Sequence, residues 1–338
     1  MDVKINGSSF QTLSQLQGHV SSELYAFLQD WFSPEPFVWG HTSGSTGIPQ
    51  AIRLYKRDMQ ASAELTNRFF DISASSKLLL CLSPRYIAGK MMVVRALSAG
   101  AMLYEQPVSS LPLEGWSVPV DLAAMVPMQV ASTLSKADGA DRLSLISRLL
   151  IGGAPVDAAL ETRLAALPCE SYATYGMTET VSHVALRRLG CTDAVYAALG
   201  DVTFSVDDRT CLVVHTPHLS GKRFVTNDMV RLIDDRHFIW SGRYDNVIIS
   251  GGLKFSAEEL ERKIAPLLFR RYYVTAAPDE FLGQHIVLVI EGEPYDEVAL
   301  QQLRAQLSGV LQRFEMPREI RFLSRFLETY SGKIRRVL

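Results

Sequence analysis

The sequence predicts an α/β protein: a large N-terminal domain of helix-covered sheets with a β-rich section, followed by a small α+β C-terminal domain. Three observations predict it. Apolar runs of strand length alternate with stretches of helical length from about residue 58 to 166, the pattern of a mostly parallel sheet. From about 183 to 250 the texture changes to short strands separated by Gly, Asp and Asn. Past Asp245 a capping box, Ser256-Ala257-Glu258-Glu259, opens a second alternation. The domains are therefore expected at 1–244 and 245–338.

Taken in order, residues 22–32 form a short amphipathic helix. Phe37-Val38-Trp39 and Ala51 to Tyr55 are short strands. Asp58 starts a helix that runs to about Phe70, and Leu78 to Leu82 is a buried strand. Ala88 to Leu97 is helical and Ala101 to Tyr104 a strand. Asp121 to Leu134 reads as one helix, Leu149-Leu150-Ile151 as a strand, Val156 to Ala166 as a helix, and Ser171 to Thr174 as a strand. In the small domain, strands near 271–276, 285–291 and 319–323 surround a helix near 296–313.

Composition excludes several classes of function. The 338 residues carry a net charge of −2, so no global basic field for nucleic acid exists. No apolar run approaches the ~18 residues of a membrane span, so no membrane insertion is expected. Met1-Asp2-Val3-Lys4 lacks the apolar core of a signal peptide. Cys81, Cys169, Cys191 and Cys211 are scattered without a Cys-x-x-Cys pair, as expected for reduced thiols in the cytoplasm. His215 and His218 would diverge on an extended segment and have no acidic or Cys partner nearby, so they read as structural.

One run carries chemistry by itself. Thr42-Ser43-Gly44-Ser45-Thr46-Gly47 follows His41 and concentrates glycines and hydroxyls, which can turn backbone N–H groups and side-chain donors toward a phosphate. Its flanks are strands, whereas a Walker-type loop joins strand to helix and carries Gly-Lys-Ser/Thr. Four further segments follow: Gly152-Gly153-Ala154-Pro155; Tyr175-Gly176-Met177-Thr178-Glu179; Thr226-Asn227-Asp228 with Gly242-Arg243-Tyr244-Asp245; and Ser331-Gly332-Lys333. Each alone is weak, since a Gly-Gly or Tyr-Gly after a strand is usually a turn. The set in this order is specific.

From about residue 40 onward the chain resembles the acyl-adenylate-forming (AMP-binding) superfamily. Within it the chain is most similar to the o-succinylbenzoate–CoA ligases of menaquinone synthesis. Tyr86-Ile87-Ala88-Gly89-Lys90, Tyr175 to Thr180 with Ser182-His183, and Ser250-Gly251-Gly252-Leu253-Lys254-Phe255 carry that narrower likeness. The resemblance implies the adenylate-forming fold and an ATP-dependent acid–CoA ligase. A carboxylate attacks the α-phosphate of ATP, and CoA then displaces AMP.

The resemblance also assigns roles. Thr42 to Gly47 would hold the β- and γ-phosphates. Gly153, Ala154 and Pro155 would line the adenine, with Tyr175 stacked on it and Gly176 and Met177 beside it. Thr178 would bond the α-phosphate, and Glu179 would hold Mg²⁺. Asp228 would accept the ribose hydroxyls, with Arg243 near. Lys333 would bridge carboxylate and α-phosphate during adenylation. Asp245 would be the hinge about which the small domain turns, presenting Gly251 and Gly252 to the pantetheine arm of CoA; glycines suit a narrow thiol tunnel.

Two departures stand out. Gln50 occupies the loop position where the family usually has lysine. The loop also begins about 40 residues in, so much of one lobe is expected to be absent. A homo-oligomer could cover the exposed face, or Leu13 to Phe32 could serve instead. For the acid, Lys90 and Arg95 lie on a largely apolar helix, and a buried cation needs a partner. A dicarboxylate would supply one, and an internal ion pair is the alternative. Tyr86 and Met128 would wall the pocket, with Ser182 and His183 reaching it. Two other functions stay open: adenylation of another aryl or amino acid for a carrier protein, and non-catalytic nucleotide binding.

Overall fold

The computed structural model describes residues 2–41, 51–191, 193–328 and 334–338. It divides into two compact units. One comprises Met1–Phe204, Val214–Phe224 and Asp234–His237; the other comprises Ser205–Val213, Val225–Ile233 and Phe238–Leu338.

The first unit is a sheet covered on both faces. Its strands run in the order Val195–Ala198, His183–Arg188, Glu170–Gly176, Ile146–Ile151, Val120–Met125, Lys77–Leu80, Met102–Glu105, Val3–Ile5 and Ser8–Phe10. From Glu170–Gly176 to Val3–Ile5 every neighbouring pair is parallel. Period-2 alternation sends these strands' side chains to two separate cores. Leu78, Leu80, Leu122, Ala124 and Leu150 point to one, with Met59 and Ala63 of helix Lys56–Phe69 and Met91 to Val94 of helix Ile87–Ala99. Leu79, Cys81, Ala123, Met125, Leu149 and Ile151 point to the other, with Val130, Leu160 and Leu164 from helices Pro127–Leu134 and Ala158–Ala165. With both faces buried, the strands read as continuous apolar runs. Leu16, Leu24, Phe27 and Leu28, from the segment expected to act as cover, lie inside the first core.

One expected element is corrected. Asp121 to Leu134 is not one helix but strand Val120–Met125 followed by helix Pro127–Leu134. The residue before proline is driven to extended backbone, and Val126 has φ −88°, ψ 155°. Pro127 then starts the helix, where its missing N–H costs nothing. The uniform burial of Leu122 to Met125 imitates a buried helix face.

In the second unit, Arg223–Leu232 and His237–Arg243 pair antiparallel. A separate sheet runs Leu253–Ser256, Val247–Ser250, Gly283–Glu291 and Tyr272–Asp279, with Glu319–Leu323 parallel to Gly283–Glu291. Helices Ala257–Ile264 and Glu297–Val310 contribute Leu260, Ile264, Leu303 and Leu307 to its core. The Ser256 side chain accepts from Glu259 N, so the expected cap opens the first of these helices. Among the described residues no helix is long and apolar enough to cross a membrane.

Candidate active site

In the first unit the sheet's connectivity gathers the expected residues. The chain steps from Lys77–Leu80 one way to Met102–Glu105 and the other way to Val120–Met125. Ligands of parallel sheets bind outside the carboxyl ends of strands at such a reversal. Those ends lead into Tyr86, Met128, Gly153-Ala154-Pro155 and Tyr175 to Glu179. Tyr86 and Met128 are 42% and 57% exposed, so a wall they form is open on one side. Tyr175 lies at the end of its strand, its ring 6.0 Å from Tyr196. A Cβ at Gly152 would lie 2.3 Å from Thr174 Oγ1, and one at Gly176 2.4 Å from the Ser182 carbonyl oxygen. The clash at Gly176 is with backbone, so that turn requires glycine; the one at Gly152 is with the Thr174 side chain, which a Cβ would have to displace. Glu179 is exposed, with no hydrogen bond or ion pair among the described residues.

Thr42 to Gly47, Gln50 and Lys333 lie outside the described residues. The loop's flanks are described: Phe37–His41 and Ala51–Tyr55 pair antiparallel from Phe37↔Tyr55 to His41↔Ala51. It joins strand to strand, as its sequence context requires.

Beyond Glu179 the chain makes a strained turn. Val181 has φ +67°, and Ser182 N donates to the Thr180 carbonyl at 2.7 Å. That is a γ-turn of the rare sense, on a β-branched residue, at a cost of order 1–3 kcal/mol. Thr180 braces it, its hydroxyl accepting from Met177 N at 3.0 Å and bonding the Ser182 carbonyl oxygen at 2.9 Å. The turn aims Ser182 and His183 at Arg95.

Arg95 is 2% exposed. Its Nη2 donates to Ser182 Oγ at 2.6 Å and approaches His183 Nδ1 at 3.4 Å. Its Nη1 faces Met92 Sδ at 3.5 Å, and its Nε is buried without a partner. No carboxylate pairs with it among the described residues. Burial pushes the guanidinium down to about 9, so it stays charged at neutral pH. Burial, and then Arg95, hold His183 well below the usual histidine range. The imidazole is thus neutral. Since Arg95 only donates, Nδ1 is the acceptor, and Nε2–H points to Thr66 Oγ1 at 3.1 Å.

Lys90 is not part of this group. Five residues along a helix turn the side chain by about 140°, and its ammonium lies 4.8 Å from the centroid of the Phe27 ring. Burial lowers its pKa, with Asp30 pulling it back up. The structure adds two polar residues that the sequence did not single out. Thr66 meets His183, and Asn67 Nδ2 donates to the Arg95 carbonyl at 2.9 Å. A signal was present: Asp58, Ser62 and Thr66 recur every fourth residue on the buried side of one helix.

In the second unit, Asp228 stands opposite Arg243 in the strand pair. Its Oδ1 accepts from Trp240 Nε1 at 3.1 Å and lies 3.7 Å from Arg243 Nη1. Arg243 Nη2 donates to Asp245 at 2.7 Å, and Asn227 Nδ2 donates to Asp245 at 3.1 Å. Asp228, Arg243 and Asp245 therefore form one polar cluster. Gly251 and Gly252, with φ +58° and +82°, make the two-residue turn between Val247–Ser250 and Leu253–Ser256. Such a turn needs positive φ at both positions. A Cβ at Gly252 would meet nothing within 4 Å, while one at Gly251 would lie 3.3 Å from Leu282 Cδ2, so at Gly252 the demand for glycine comes from the backbone conformation.

A family model described as AMP-binding enzyme matches residues 12–215. The 2-succinylbenzoate–CoA ligase of Haemophilus influenzae is 27% identical over 315 residues, spanning 87% of this chain and 68% of that protein. A solved acyl-CoA synthetase (AMP-forming)/AMP-acid ligase II-like protein from Dyadobacter fermentans is 34% identical. It has a TM-score of 0.64 and covers 93% of this chain and 92% of its own. The o-succinylbenzoate coenzyme A synthetase of Bacillus subtilis, solved with ATP and magnesium, shares the fold at a TM-score of 0.72, 19% identity and coverage of 88% and 68%.

Proposed function

The chain belongs to the AMP-binding enzyme family, and from that premise we propose that it is an ATP-dependent acid–CoA ligase for an acid with a second carboxylate, o-succinylbenzoate. The acid's carboxylate attacks the α-phosphate of ATP to give acyl-AMP and pyrophosphate. The CoA thiol then attacks the acyl carbon, and AMP leaves. The relatives named for this activity support it, and one observation carries the choice of acid. Arg95 is a buried cation with no carboxylate partner among the described residues, held in place by Ser182 and His183. Burying such a charge unpaired is costly, and the substrate's second carboxylate would offset that cost.

The other roles follow. Gly153 to Pro155 and Tyr175 border the adenine, where the close turns at Gly152 and Gly176 leave backbone and a ring face to meet it. Asp228, fixed by Trp240, accepts from the ribose hydroxyls. Thr178 donates to the α-phosphate. Glu179, exposed and unpaired among the described residues, suits Mg²⁺ through a hard carboxylate oxygen; the ion would neutralise phosphate charge. Thr42 to Gly47 hold the terminal phosphates, and Lys333 bridges the attacking carboxylate and the α-phosphate. Asp245 is the pivot between 1–244 and 245–338, and Gly251-Gly252 meets the pantetheine arm.

The test is thioester formation with o-succinylbenzoate, ATP and CoA, against benzoate and fatty acids. The expected result is turnover with o-succinylbenzoate and little with acids lacking a second carboxylate. Preference for a monocarboxylate would overturn the choice of acid. Absence of ATP–pyrophosphate exchange with every acid would overturn the enzyme.

A further inference from the structure

The C-terminal residues 334–338 bury little apolar surface. Ile334 is half-buried, and Val337 and Leu338 are 43% and 49% exposed. Yet the segment is fastened at three polar points. Ile334 bridges Glu328 through the bond that Arg335 N donates to the Leu327 carbonyl at 2.8 Å. Tyr273 Oη donates to the Val337 carbonyl at 2.5 Å. Arg336 reaches inward and donates to both oxygens of Glu261, at 2.5 and 2.9 Å, and to the Val274 carbonyl at 2.7 Å. Its Nη2 also lies 3.4 Å from Glu258. The Glu258 side chain, 9% exposed, in turn accepts from Asn246 Nδ2 at 2.5 Å. One guanidinium thus ties the C-terminal segment to helix Ala257–Ile264, strand Tyr272–Asp279 and the residue beside Asp245.

Packing would hold such a segment by area; these bonds hold it by direction. Bidentate pairing to a planar carboxylate sets the angle as well as the distance of the backbone that carries the guanidinium. Lys333 precedes Arg336 by three residues. We propose that Arg336 is a positioning residue for adenylation: pinned by Glu261 and Glu258, it sets where the chain delivers Lys333. The proposal rests on the role of Lys333 given above. Thioester formation does not use Lys333, so the two half-reactions respond differently.

The experiment measures both half-reactions in the full-length chain for Arg336→Lys, Tyr273→Phe and Lys333→Ala. Arg336→Lys keeps the charge and loses the fork. Its ATP–pyrophosphate exchange kcat should fall about tenfold or more, with the KM for the acid nearly unchanged. Its thioester formation from preformed acyl-AMP should stay close to wild type. Tyr273→Phe removes one tether without changing volume and should show the same split at about threefold; it decides the matter if Arg336→Lys does not fold. A proportional fall in both half-reactions, or unchanged exchange, overturns the positioning role while Lys333→Ala still loses adenylation. Full exchange in Lys333→Ala overturns the role of Lys333 itself, and the proposal with it.

Discussion

Two guanidiniums, one in each compact unit, are withdrawn from water in different ways: Arg95 is buried, while the Arg336 side chain is 22% exposed. Arg336 meets two carboxylates and a carbonyl oxygen. Arg95 meets a hydroxyl, a neutral imidazole and a thioether, and one of its nitrogens has no partner. A paired cation is complete and helps hold the fold together; an unpaired buried one carries a cost that, on the function proposed above, the ligand offsets. On that proposal, the contrast separates a structural arginine from a binding one without reference to sequence similarity.

The largest expected effect is on Arg336. Arg336→Met strands Glu261 and Glu258 and should lower stability by about 3–5 kcal/mol, read as a shift in urea midpoint. Arg95→Met should do the opposite, leaving the midpoint unchanged or raised while the affinity for the acid falls by about 2–5 kcal/mol. Equal loss of stability in the two variants would break the comparison.

His183 sharpens it. Its folded-state pKa is held well below the usual value by burial and by Arg95, so the unfolded chain takes up the proton first as pH falls. The stability tied to the neutral ring is fully present above about pH 6.5 and is lost as pH drops below it. Wild type should lose about 1 kcal/mol more than His183→Gln between pH 7 and pH 5.5, measured by urea titration. A parallel decline in the two proteins would mean that the ring is charged beside Arg95. The smallest effect belongs to the hairpin. Gly252→Ala should cost about 1 kcal/mol through its positive φ, with thioester kcat unchanged if the turn alone demands glycine. A selective loss of thioester formation would show that the passage of the thiol demands it too.

Legibility in the sequence tracked how local each cause is. The capping box at Ser256 and the strand-flanked loop at 42–47 depend on neighbours a few residues away, and both could be read. The stretch 121–134 was misread because a strand buried on both faces loses its alternation, and only Pro127 marked the change. Lys90 and Arg95 were readable as buried cations from the apolar residues between them. Which of them faces Ser182 and His183 depends on residues some 90 positions distant and on the left-handed turn at Val181, which no propensity favours. Thr66 entered through the same long-range packing.

The sequence by itself determined the kind of chemistry expected: a glycine- and hydroxyl-rich run between strands, an ordered set of glycine, tyrosine and carboxylate segments, and a lysine near the end. Residue type and spacing carry that information because hydroxyls, glycines and charges act through their own local geometry. Only the tertiary structure decided which charges are balanced. Arg95 and Arg336 are the same residue, each in an unremarkable local context, and a counter-charge is supplied by segments far away in the chain. Pairing is a property of the folded interior, where an unmet charge is expensive, and so the fold, not the local sequence, distinguishes the arginine without a carboxylate partner among the described residues from the one that holds the tail.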